Sequence, residues 1–304
     1  RPKKEREPID FLSKKKVFFT ISLVLIAAGV ITIGVNAGRG KGAFAYSLEF
    51  QGGTSTNVTF DKDYSIDEID KEIVPVVEKV TGDNNVQTQK VAGTNQVIIK
   101  TVTLDLDKRE ALNKAMVDNF GVDESKITAE NISSTVSNEM RRDAVIAVVI
   151  ATICMLLYIW FRFKDIRFAT SAVLALLHDV LVVVGFYAIA RISVGNTFIA
   201  CMLTIVGYSI NATIVIFDRI REEMRGKTKS SDVAAVVNKS ITQTLTRSIY
   251  TSLTTFIMVA VLYVMGVSSI KEFALPLMVG VVCGAYSSVC ITGALWYVMK
   301  RFKK

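Results

Sequence analysis

The chain has 304 residues, 51% of them hydrophobic and 21% charged, with a mean hydropathy of +0.40. Apolar and charged residues at these levels must be segregated along the chain, which speaks against one globular domain. The net charge of +8 would suit nucleic acid, but the positive residues cluster beside apolar runs, where membrane orientation and anionic headgroups account for them, so no nucleic-acid partner is expected.

Residues 1–16 form a basic N-terminal tail, read as cytoplasmic, and residues 17–36 the first apolar run. Lys14, Lys15 and Lys16 before that run resemble the start of a signal peptide. The apolar core exceeds the range of about 7 to 15 residues for such segments and no small-x-small cleavage site follows, so the run reads as a retained anchor. The sequence starts at Arg1 without a Met, as a trimmed sequence would.

Residues 37–140 are polar and carry the alternation and turn signals of a folded α+β unit. Residues 46–60 read as a strand broken at Gly52 and Gly53, a pair that marks either a ligand contact or, more often, close backbone approach at the domain's base. Residues 66–80 place Ile66, Ile69, Ile73, Val76, Val77 and Val80 on one helical face, with Ser65 and Glu68 spaced as a capping box. Strands are expected at 85–91 and 96–104, joined by Ala-Gly-Thr-Asn, then a helix at 107–120 and a strand at 126–136. The order β-α-β-β-α-β is that of a ferredoxin-like domain, whose open sheet edge suits an extended peptide.

Five further apolar runs follow, at 144–161, 168–190, 197–217, 248–267 and 273–299. Each is long enough, at about 20 residues, to cross the hydrocarbon core as a helix. The expected fold is therefore a membrane all-α bundle of six transmembrane helices, with the ferredoxin-like domain inserted between helices 1 and 2. Segment 141–304 forms the rest of the bundle, with a loop at 218–247 and a basic C-terminal tail.

Of the 36 lysines and arginines, 21 lie in the two tails and in the segments 162–167 and 219–247, whereas the short connections on the opposite side hold only Arg191 and Lys271. Positive-inside counting then puts both termini and the loop 218–247 in the cytoplasm and residues 37–140 outside. Cys154, Cys201, Cys283 and Cys290 all fall within spans, where they read as small apolar residues, with no disulfide framework.

Polar groups within spans are costly, so each is a functional candidate. The third span holds His178 and Asp179, and Asp179 reads either as a proton-responsive or substrate-near group or as an interhelical packing device. In the fourth, Thr204, Gly207, Tyr208 and Asn211 recur at helical spacing toward Asp218, a stripe expected to face the bundle interior. Arg247, Thr251, Thr254 and Thr255 open the fifth span; Arg247 alone reads as a boundary residue snorkelling to the surface.

The strings VGYSINATIVIFDRIREE (206–223), ITQTLTRSIYTSLTT (241–255), ALLHDV (175–180) and LEFQGGT (48–54) resemble those of the SecF family, within the resistance-nodulation-division superfamily, and the likeness covers nearly the whole chain. The resemblance implies a SecD partner, separate or fused, in a pseudo-symmetric twelve-span complex beside the Sec channel subunits. It implies that proton or sodium flux promotes late export of an unfolded secretory polypeptide across the cytoplasmic membrane of a bacterium. Arg247 matches the family's arginine at the start of the fifth span. Where the family has Asn-Asp-Thr, this chain has Asn211, Ala212 and Thr213, so the acid proposed to carry the ion is missing. Three alternatives follow, in order of preference: an acid on SecD suffices, Asp179 and Asn211 serve a different ion path, or this homologue conducts weakly.

A passive scaffold and a small-molecule or lipid exporter are the competing functions. Enzyme activity is not expected: the sequence has no metal-ligand cluster and no P-loop, and neither metal nor other cofactor is expected.

Overall fold

The computed structural model describes residues 7–40, 42–91, 93–225, 233–266 and 268–301. Residues 1–6 of the N-terminal tail, 226–232 of the loop 218–247 and 302–304 of the basic tail lie outside the described residues, as does Ala92 of the expected hairpin turn. Among the described residues, six helices are long and apolar enough to cross a membrane. They are α1 (Lys15–Gly38), α6 (Ser134–Phe163), α7 (Ile166–Ala190), α8 (Asn196–Met224), α9 (Val233–Met265) and a last span in three parts. These parts are α10 (Ser268–Tyr286), a π turn (Ser287–Thr292) and α11 (Gly293–Arg301).

Helix α7 and the last span form the middle of the bundle, with about half of their apolar windows buried, whereas α1, α6 and α9 turn most of their apolar side chains outward. Leu23, Val24, Ile31, Ile150, Leu157, Val261 and Val264 are among those exposed, as side chains facing lipid must be. Helices α1 and α7 meet at Gly29 and Gly185, where a Cβ on either glycine would sit 2.8–2.9 Å from the other's Cα. At one end of the bundle Phe168 stacks on Trp296 with centroids 4.9 Å apart, and Phe163 and Phe217, edge to face with each other, both lie tilted against Phe168.

The described part of the segment expected as a loop, 218–247, is mostly helix. Helix α8 runs on to Met224 and α9 starts at Val233, because Val233, Val236, Val237, Ser240 and Ile241 recur at helical spacing and bury one face under the bundle. The tail is also pinned: the backbone N–H of Phe11 and Leu12 donate to Asn238 Oδ1, Ile9 donates to Thr242 Oγ1, and Leu12 is buried.

Between α1 and α6 lies a four-stranded antiparallel sheet in the order β2-β3-β1-β4. Its strands are β1 (Gly53–Thr59), β2 (Gln87–Lys90), β3 (Gln96–Thr101) and β4 (Ile127–Ile132). The helical stretch of α3 (Ile66–Glu68), a π turn (Ile69–Ile73) and α4 (Val74–Thr81) packs with α5 (Leu106–Phe120) on it. Val58, Val97 and Ile99 of the sheet meet Ile69, Ile73, Val77, Leu112 and Met116 in a closed apolar core. The Ser65 and Glu68 capping box is present, and the Ser65 backbone N–H and Lys62 hold the Glu68 carboxyl below its usual range.

Two expected boundaries and one expected facing are corrected. Residues 46–60 are not one strand: Leu48–Gln51 is a short helix, α2, and β1 begins at Gly53, since Gly52 and Gly53 take φ of 74° and 121° and break the extension. Ile66 is exposed, because the extra residue of the π turn rotates the preceding turn by about 100° off the apolar face. The last strand stops at Ile132, as Ser133 accepts from the Val136 N–H and caps α6.

Candidate functional site

Helix α8 carries polar side chains on two sides. On the first, the Asp179 carboxylate from α7 is fully buried. Its Oδ2 accepts from Ser209 Oγ of α8 at 2.5 Å and Ser287 Oγ of the π turn at 2.9 Å. Its Oδ1 lies 3.0 Å from His178 Nδ1 and 3.3 Å from Cys283 Sγ. A buried carboxyl is costly unless its oxygens are bonded, and here both are. Ser209 and Ser287 reach Asp179 from different helices, and the wide turn at Ser287–Thr292 is what swings Ser287 inward. His178, Asp179 and Cys283 also place donor atoms within 4.8 Å of one another, a spacing open to a metal, although hydrogen bonding accounts for each contact.

On the second side, Tyr208, Asn211, Ala212, Val215, Arg247, Ser248, Thr251 and Ser252 line a polar groove of about 160 Å³ between α8 and α9. Tyr208 donates to Ser252 Oγ at 2.6 Å, which ties the two helices across the groove. Thr204 and Thr255 return their hydroxyls to the carbonyls of Ala200 and Thr251, so they cost little in lipid. Asn211 and Arg247 have no such bond: both are exposed, and among the described residues neither has a hydrogen-bond or ion-pair partner.

The polar stripe of α8 therefore does not face the interior of this chain's own bundle, as its spacing suggested. Thr204, Gly207 and Asn211 lie on an open flank, because the interior face of α8 is taken by Cys201, Ile205, Ser209 and Ile216. Arg247 is not at the start of a helix but well inside α9, at the level of Asn211 and Ala212. Asp218 belongs to neither group; it pairs with Arg162 of α6 at 2.7 Å, half exposed, at the end of the bundle away from the sheet. Gly52 and Gly53 bring β1 against its neighbours: a Cβ on Gly53 would lie 2.2 Å from the Thr101 carbonyl oxygen, and one on Gly52 3.1 Å from Ser137 Oγ.

Sequence reasoning missed Ser209, Ser287 and Cys283 as partners of Asp179. Cys283 does not behave as a merely apolar residue, since its thiol donates to the carboxylate. The repeated Tyr-Ser of Gly207-Tyr208-Ser209 and Ala285-Tyr286-Ser287, each within a span, was the available signal.

The family described as protein export membrane protein SecD/SecF, C-terminal, matches residues 112–302. SecF of Petrotoga mobilis is 36% identical over 97% of this chain and 98% of its own length. SecDF of Bacillus subtilis is 36% identical over 96% of this chain but only 38% of its own length. The crystal structure of SecDF from Thermus thermophilus, a translocon-associated membrane protein, is 30% identical with a TM-score of 0.80, covering 97% of this chain and 39% of that one. The chain thus spans about two fifths of the SecDF proteins it matches. With six spans and matches of this extent, the chain is a multi-pass membrane protein that belongs to the SecD/SecF family of protein-export membrane proteins.

Proposed function

We propose that this chain is an accessory subunit of the Sec protein translocase, acting with SecD to promote late export of unfolded polypeptides at the expense of a proton or sodium gradient. It sits in a bacterial cytoplasmic membrane with both termini inside, as the distribution of Lys and Arg favours. The sheet unit, with its β-α-β-β-α-β order, is a ferredoxin-like domain on the outer face. The protein moves a chain rather than transforming it, so it is not an enzyme.

The observation that carries this reading is the open polar groove holding Arg247 and Asn211. An unpaired guanidinium facing lipid is expensive, and a second bundle with an acid opposite Arg247 removes that cost. The rest of SecDF is long enough to supply such a bundle, and SecD would supply it here. Ala212 holds no proton, so the titrating acid belongs to the partner. While that acid is charged it pairs with Arg247; once protonated it releases Arg247. The alternation gives two packings of the interface, and Tyr208, Asn211 and Thr251 offer the polar lining an ion or water needs.

The test is Arg247→Ala with assembly monitored alongside export kinetics, with and without the ion gradient. Intact assembly with slowed export, and no further loss when the gradient is collapsed, is expected. Normal export with an intact complex would instead favour a second reading, a passive scaffold for SecD and the channel subunits, to which Ala212 lends support.

A further inference from the structure

The edge of the sheet faces a cleft that the export reading does not use. Strand β2 is the outermost in the order β2-β3-β1-β4, and along Gln87–Gln89 the backbone is bonded on one side only, to β3, among the described residues. Natural sheets blunt such an edge with lysine, proline or a covering element. Here Lys90 stands at the far end of the strand, tied to Asp63 at 2.6 Å, and Asn85 to Gln89 line a cleft of about 560 Å³.

The far wall of that cleft is the membrane bundle itself. Ile192 and Ser193 from the α7–α8 connection and Glu272 of α10 face β2 across it. The wall is braced: Val194 donates to the Ala45 carbonyl at 2.8 Å, Ser47 donates back to the Val194 carbonyl at 3.0 Å, and Arg191 donates to the Gly42 carbonyl at 2.9 Å. Asp70 and Glu272 bring negative charge, Lys100 and Arg191 positive charge, so the lining favours neither sign of cargo.

We propose that this cleft binds an extended stretch of polypeptide, which adds to β2 as a fifth strand between the sheet and the end of the bundle. Backbone recognition suits a cargo of arbitrary sequence: strand addition takes affinity from main-chain bonds and leaves side chains to polar, mixed-charge walls. At about 3.3 Å per residue, Gln87–Gln89 offer an edge of about 10 Å, enough for one short segment held weakly and released. The polar lining argues against a lipid chain. The proposal rests on the export reading for the nature of its ligand, but its site is separate from the Arg247 groove.

The experiment uses the full chain in lipid nanodiscs, with a reduced and carboxymethylated polypeptide as a permanently unfolded probe. Hydrogen exchange of the amides at 87–89 is expected to slow by about tenfold at a probe concentration ten times its Kd. Photo-crosslinker placed at Gln87 or Gln89 is expected to capture the probe, while crosslinker at Glu130, on the opposite edge strand β4, is not. Unchanged exchange, or equal capture at Glu130, overturns the proposal. So does capture at Gln87 of a SecD soluble domain that the probe cannot displace, since the edge is then an assembly contact. Arg247→Ala should leave capture at Gln89 intact; if export proves independent of Arg247 while capture persists, the gradient reading fails and the peptide site stands.

Discussion

Ser209 and Asn211 are two residues apart on α8, about 200° around its axis, and the membrane treats them in opposite ways. Ser209 is fully buried and donates to Asp179, in a cluster that α7, α8 and the last span close among themselves. Asn211 is exposed beside Arg247 in a groove that this chain leaves open. A polar group at bilayer depth is either satisfied within its own bundle or needs a neighbour's. The first arrangement contributes stability to the chain alone, and the second contributes only to an assembly.

That contrast makes the two flanks separable by mutation. Asp179→Ala leaves the buried Ser209 hydroxyl without its acceptor, leaves Ser287 with only the Gly284 carbonyl, and opens a void among them, and is expected to cost the isolated chain about 3 kcal/mol, read as a fall in its unfolding stability in detergent. Gly185→Val drives side-chain atoms into Gly29 and should cost about 1–3 kcal/mol in the same measurement, with α1 displaced and cysteine crosslinks between α1 and α7 lost. Ser287→Ala removes one of the bonds to Asp179 and should cost about 1 kcal/mol; an effect as large as that of Asp179→Ala would mean the cluster fails as a unit. Asp218→Ala breaks the half-exposed pair with Arg162 and should shift the same midpoint by less than about 1 kcal/mol. Arg247→Ala should change the stability of the isolated chain by no more than about 0.5 kcal/mol and leave co-purification with its partner intact, yet slow export. A large stability loss there would erase the distinction between the flanks.

The spans were legible because about 20 apolar residues in a row have few other uses. Their ends were not, where amphipathic helix continues past the apolar core. Val233, Val236, Val237, Ser240 and Ile241 carry a clear helical period, yet the charges around them made the segment read as a loop. The sheet elements were legible from alternation and from the Ser65 and Glu68 cap, but Leu48–Gln51 looked like strand because four residues are too few to display a period. Of the site, Asp179 and Arg247 announced themselves by charge. Which way they face did not follow from spacing: period tells which residues share a side of a helix, and only the packing of α7, α8, α9 and α10 tells which side is inward. Cys283 was hidden for a related reason, since within an apolar run a thiol looks like a small hydrophobe until an acceptor stands 3.3 Å away.

Strand β4 ends at Ile132 and α6 begins at Ser134, so a single residue, the cap Ser133, separates sheet from span. There is no slack at that joint to absorb a rotation. Gly52 and Gly53 hold the neighbouring strand against the same region with no room for a side chain between. The sheet is thus joined to α6 through one capping residue and not through a flexible tether, so the orientation of β4 and the start of α6 are set together.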